Sequence, residues 1–155
     1  MLLRRRRTIE SSTRPIIRRK EIPKERIWSV SASSDHSWPA CWIANPYNVL
    51  DCDETRVWNS RSFAPAWIRF DLGPSCPCVS RIDLMSSMDP GPAEHRILMG
   101  THLSAMETVM IIGGECREKW LECLLPQSRR TQYVEIHTML SPGWVSWARI
   151  RIWTE

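Results

Sequence analysis

A chain of 155 residues, 43% hydrophobic and 25% charged, has the size and composition of one globular domain with one core. No apolar run approaches the roughly 18 residues that a helix needs to span a bilayer, which excludes a helical membrane span within the sequence. The formal charge of +4 is unevenly placed: residues 1–26 hold ten Lys or Arg against three Glu (+7), which leaves 11 basic and 14 acidic residues (−3) for 27–155.

The chain opens with MLLRRRRTIESSTRPIIRRKEIPKER. Arg4 to Arg7 interrupt the apolar stretch of a secretory signal before it starts, and Pro15 and Pro23 leave no helical stripe. Such a segment cannot bury a core of its own. Residues 1–26 are therefore expected to be an extended anchor held by other protein chains of an assembly. Arg4, Arg5, Arg6, Arg7, Arg18 and Arg19 would be its charge-assisted donors. Nucleic acid is the other ligand for an arginine cluster, although the arm carries no aromatic residue on which a base can stack.

From residue 27 onward, short apolar-alternating segments are separated by Pro, Gly, Ser and Asn. Strands are predicted over Ile27 to Ser33, Ala66 to Leu72, Val79 to Met85, His95 to Gly100, Thr108 to Ile112, Trp120 to Leu125, Gln132 to His137 and Val145 to Trp153. Val79 to Leu84, Tyr133 to Ile136 and Ala148 to Ile152 alternate with period two, the mark of one wet and one buried face. No stretch of ten residues carries an amphipathic helix. Eight short strands joined by turn-rich loops predict an antiparallel β-sandwich of the jelly-roll kind over 27–155, preceded by the basic arm. Among the nine tryptophans, most are expected in the core, with Trp58, Trp67, Phe70 and Ile150 buried. Gly113-Gly114 reads as a turn.

Six cysteines and four histidines lack the spacing of a zinc site, and without a secretory signal free thiols are expected. No nucleophile motif, phosphate-cradling glycine loop or H-E-x-x-H is present, so a binding protein is expected rather than an enzyme. The long stretch from Asp35 to Tyr47 offers Trp38, Trp42 and Tyr47 for stacking, with His36 and Asn45 as polar partners. Arg61 and Arg69 are candidates for the same end of the sandwich. Aromatic platforms with a few polar groups suit sugars; the same tryptophans equally suit core closure or a neighbouring subunit. The turn DCDETRVW at residues 51–58 puts Asp51, Asp53 and Thr55 close together, as oxygen ligands for Ca²⁺ or as an Asx turn that satisfies its own backbone.

The order of these signals resembles the discoidin, or coagulation-factor type C, family of galactose-binding-like jelly rolls, from about Trp28 to Trp153. Ser31 to Ser34 is similar to that family's opening strand, and Asn48 to Trp58 to its aspartate-rich turn. Trp67-Ile68-Arg69-Phe70-Asp71-Leu72-Gly73 is similar to its tryptophan strand ending in Asp-Leu-Gly, with Asp71 capping the loop that follows. Val79 to Leu84, Gln132 to Ile136 and Ala148 to Ile152 are similar to later strands. The resemblance implies a non-catalytic module that binds carbohydrate, phospholipid or protein through loops at one end. It also implies a calcium turn, which this chain departs from: Cys52 stands where the family has glycine, and Trp147-Ala148-Arg149 carries no carboxylate. An arginine near the turn would replace the cation by pairing with Asp51 or Asp53, so no cofactor is expected, with calcium the alternative. The expected setting is a virion, such as a bacteriophage tail or capsid accessory protein, anchored by the arm. An intracellular protein-binding subunit and a nucleic-acid-associated protein are the other readings.

Overall fold

The computed structural model describes residues 17–34, 45–53, 55–117 and 119–155. It is an all-β sandwich. The described residues form ten strands: β1 (Lys20–Glu21), β2 (Ser29–Ala32), β3 (Trp58–Asn59), β4 (Ala66–Asp71), β5 (Cys78–Ser86), β6 (Gly91–Gly100), β7 (Glu107–Cys116), β8 (Trp120–Arg130), β9 (Tyr133–Leu140) and β10 (Ser146–Thr154). One sheet runs β1-β10-β5-β8, with β3 also on β10; the other runs β2-β4-β9-β6-β7, and every pairing is antiparallel. Each of the eight strands read from the sequence is present.

Alternation decides what faces inward. Ala66, Ile68 and Phe70 of β4 meet Val134 and Ile136 of β9, Ile97 and Met99 of β6, and Ile82, Leu84, Ile150 and Ile152 of the opposite sheet. The same period forces Trp67 outward, against the expectation that it is buried: its ring is half-buried on the outer face, with the Arg69 guanidinium 4.3 Å from its centroid. Two further tryptophans are held on outer faces this way, Trp120 under Arg151 at 4.2 Å and Trp153 under Arg81 at 5.3 Å. Of the seven described tryptophans, only Trp58 and Trp147 are buried, so core packing is not the fate of most of them. Arg69 itself is held by Glu135 at 2.7 Å, away from the loops where a role in ligand binding was anticipated.

The second difference lies at Gly113-Gly114. Both residues sit inside β7, opposite Glu94 and Ala93 of β6, because the β6–β7 ladder runs on through Cys116 and a glycine is tolerated on an edge strand. The third concerns the arm. Lys20 and Glu21 pair with Thr154 and Trp153, and Ile22 N–H donates to Ile152 O at 2.8 Å, so this part of the basic segment is held by its own chain.

Antiparallel connection sorts the loops. Residues 60–65, 87–90, 117, 119 and 141–145 lie at one end, where β2 also finishes; residues 72–77, 101–106 and 131–132 lie at the other, beside β1 and the C-terminal residues.

His95 is a histidine buried in this core. Its ring meets Trp147 edge-on at 4.9 Å, and its Nδ1 lies 3.0 Å from Thr138 Oγ1. Burial pulls its pKa down to about 4, against a smaller opposing pull from the Glu94 charge. The unfolded chain therefore takes up this proton first, near pH 6.5. The stabilising contribution is intact above pH 6.5 and is lost as the pH falls toward 4, a total of about 3 kcal/mol. Chemical denaturation between pH 7 and 4 should show that decline, and His95→Gln should flatten it; an unchanged slope in the variant would assign the acid sensitivity elsewhere.

Candidate functional site at the loop end

Three of the loops at one end are hydrogen-bonded to one another rather than hanging separately. Ser60 N–H donates to Val145 O at 2.8 Å and Val145 N–H to Ser62 O at 3.0 Å, which joins the β3–β4 loop to the β9–β10 loop. Ala64 N–H donates to Ser141 Oγ at 3.0 Å, and Ser141 Oγ donates to Gly143 O at 2.7 Å. Ser87 N–H donates to Ser146 O at 3.2 Å, the two hydroxyls lie 2.5 Å apart, and Ser146 Oγ donates to Trp58 O at 3.0 Å. Serine suits these positions, because one hydroxyl both donates and accepts.

The loops also touch through glycine. A Cβ on Gly143 would stand 2.7 Å from Asp89 Oδ2, and one on Gly91, whose φ is +150°, would stand 2.7 Å from Pro142 Cβ. The frame encloses a cleft of about 380 Å³, lined by Asn59, Phe63, Ser87, Met88, Asp89, Pro142, Gly143, Trp144 and Ser146. Phe63 is 62% exposed and Trp144 is 48% exposed. Two large aromatic side chains held open to water on cross-linked loops, beside an aspartate and hydroxyls, form an apolar platform with polar groups at its edge.

Sequence reasoning reached one residue of this neighbourhood. Arg61 sits on the β3–β4 loop with φ +55°, its N–H bonded to Asn59 Oδ1 at 2.7 Å, but it does not line the cleft. Asn45 is the cap of a 3-10 turn over Pro46–Leu50, where its Oδ1 accepts from Tyr47 N–H at 3.0 Å, and Tyr47 is exposed on that turn. Neither residue lines the cleft. His36, Trp38 and Trp42 lie outside the described residues, as do Arg4, Arg5, Arg6 and Arg7; Arg18 and Arg19 are exposed ahead of β1. Phe63 and Trp144 were missed. The signal for them was present as lone aromatics inside Ser-Phe-Ala-Pro and Ser-Pro-Gly-Trp, where turn chemistry leaves a ring no core to enter.

The aspartate turn lies elsewhere, along the side of β10. Asp53 Oδ1 accepts from Thr55 N–H at 3.0 Å and from Thr55 Oγ1 at 2.5 Å, and these bonds lower its pKa. Asp51 faces Arg56 at 3.5 Å and Lys24 at 3.6 Å, and Arg149 Nη2 reaches Cys52 Sγ at 3.9 Å. Protein cations thus stand around this turn, and among the described residues no group of three His, Cys, Asp or Glu side chains is placed to hold a metal. Cys52, Cys76, Cys78, Cys116 and Cys123 are free thiols; Cys41 lies outside the described residues. No described helix is long and apolar enough to cross a membrane.

A larger hollow of about 680 Å³ lies at the opposite end, beside β1, and Trp28, 67% exposed, stands on it. It offers a single aromatic ring amid charges of both signs, from Lys20, Glu21, Glu25 and Arg26.

No protein-family model and no curated protein matches this sequence. Solved structures do match. The family 32 CBM from C. perfringens NanJ in complex with galactose superposes with a TM-score of 0.73 at 15% identity, over 87% of this chain and 98% of that one. A CBM32 from Clostridium perfringens in complex with GalNAc-β-1,3-galactose gives 0.71 at 11% identity, over 86% and 99%. The CBM32 of AlyQ in complex with 4,5-unsaturated mannuronic acid gives 0.66 at 18% identity, over 81% and 94%. At these identities the likeness is one of fold: the chain shares the jelly-roll β-sandwich of these modules.

Proposed function

We propose that this chain is a non-enzymatic glycan-binding module, and that the cleft holding Phe63 and Trp144 is where the sugar sits. The observation that carries this reading is the exposure of two aromatic rings on hydrogen-bonded loops. A sugar ring presents an apolar face that stacks on an aromatic side chain, with hydroxyls at its rim that need donors and acceptors. Ser87 and Asn59 supply those at the edge. The sugar-bound modules of the same fold support the assignment by analogy. Because the loops are cross-linked before a ligand arrives, little ordering is left for binding to require.

The basic segment gives this head an attachment. Its +7 charge, from ten basic and three acidic residues in 1–26, contrasts with the −3 of the remainder and suits an acidic groove on a partner chain. A virion, such as a bacteriophage tail or capsid accessory position, is the assembly that best fits an anchored arm joined to a displayed sugar-binding head.

Three outcomes check these statements. Phe63→Ala and Trp144→Ala should each lower glycan affinity at least ten-fold in titration calorimetry without shifting Tm, while Trp28→Ala should leave affinity unchanged. The opposite pattern would move the site to the terminal end. Removing residues 1–19 spares β1 and should yield a folded sandwich that no longer joins its assembly; normal incorporation would refute the anchor, and DNA binding with a steep salt slope would transfer the arm to nucleic acid. The arginine and lysine around Asp51 take the place of a cation, so a calcium chelator should leave Tm unchanged; a drop would place Ca²⁺ in the turn.

A further inference from the structure

Every described aspartate but one is engaged within the chain. Asp51 faces Lys24 and Arg56, Asp53 accepts from Thr55, Asp71 accepts from Gly73 and Gln132, and Asp83 accepts from Arg81 and from the Trp153 indole. Asp89 has no hydrogen bond or ion pair among the described residues. It is exposed, it lines the aromatic cleft, and its Oδ2 lies against Gly143, the residue before Trp144. Among the described residues no lysine or arginine lines that cleft. Residues 35–44, DHSWPACWIA, contain none to add. Arg117 and Lys119 are at the same end on the β7–β8 loop but outside the lining, and Arg117 stands 3.8 Å from Glu115. Arg61 shares its loop with Phe63, is outside the lining, and has an interaction of its own.

From this charge arrangement we infer that the cleft selects an amino sugar with a free, protonated amine, such as a glucosamine unit of a cationic polysaccharide. The inference rests on the reading of the cleft as a glycan site and narrows its ligand. A carboxylate without an internal partner, next to two aromatic rings, is the environment that attracts an ammonium group, by charge and by the negative faces of the rings. A uronate or sialate would bring a second negative charge beside Asp89 with no described lysine or arginine in the cleft to offset it, and like charges in one site are how a binding surface rejects the wrong partner. The carboxylate therefore does two things at once: it favours the free amine over its acetylated form, and it disfavours acidic sugars.

Calorimetric titration of the full chain with a glucosamine hexamer, an N-acetylglucosamine hexamer, a galacturonate hexamer and galactose tests this. The glucosamine hexamer should bind about five-fold tighter than the acetylated one and the galacturonate hexamer weakest. The advantage of the free amine should shrink in high salt, because the cleft is open to solvent. Asp89→Asn should reduce glucosamine-hexamer affinity about five-fold more than it reduces affinity for the acetylated hexamer. Equal affinity for the two hexamers, preference for galacturonate, or a glucosamine advantage that survives Asp89→Asn overturns the amino-sugar inference and leaves the glycan site standing. Silence with all four sugars overturns both.

Discussion

Strand β10 has to be satisfied along two edges, and the rest of the molecule is arranged around how that is done. One edge is simple: β5 pairs with it from Trp147 to Thr154. The other edge has no long strand available and is covered in three pieces. Lys20–Glu21 pairs at its end, Trp58–Asn59 pairs at its beginning, and the 3-10 turn with the aspartate turn behind it packs between. An exposed β edge invites pairing with other chains, and this patchwork blunts it. It also fixes two positions in the fold. Trp58 is pinned opposite Trp147 in the core, and the chain leaves β3 at the loop end, where it builds the Phe63 wall of the cleft.

Tryptophan does two separate jobs here. Trp58 and Trp147 fill the interior near the loop end, below the cleft. Trp67, Trp120 and Trp153 lie on outer faces, each under an arginine, and two of those arginines are themselves fixed by buried carboxylates, Arg69 by Glu135 and Arg81 by Asp83. These rings are spent on the framework. Trp144 and Phe63 are not covered by any described arginine, which is the physical difference between an aromatic that stiffens a sheet and one whose face stays open to water.

Most of the framework was legible in the residues, because period-two alternation is written into Val79–Leu84, Tyr133–Ile136 and Ala148–Ile152. Asp71 capping Gly73 N–H at 2.8 Å, with Gly73 at φ +83°, is the strand exit that Asp-Leu-Gly suggested. Strands β1 and β3 were not legible: two residues cannot show a period, and both exist only because β10 needs partners. Trp67 was misplaced by weighing its size over its parity with Ile68 and Phe70. Of the site, little could be seen, since the cleft joins residues 59, 63, 87, 89 and 144, which only the sandwich topology brings to one end. An aspartate without a partner is likewise invisible until the partners of the others are known.

The proposed sugar site can be checked by following the indole N–H signals of the tryptophans by NMR during titration with a glycan. The Trp144 signal should shift progressively and saturably while those of Trp28, buried Trp58 and arginine-covered Trp67 stay in place. A shift centred on Trp28, or on the outer-face tryptophans with Trp144 unmoved, would contradict that site.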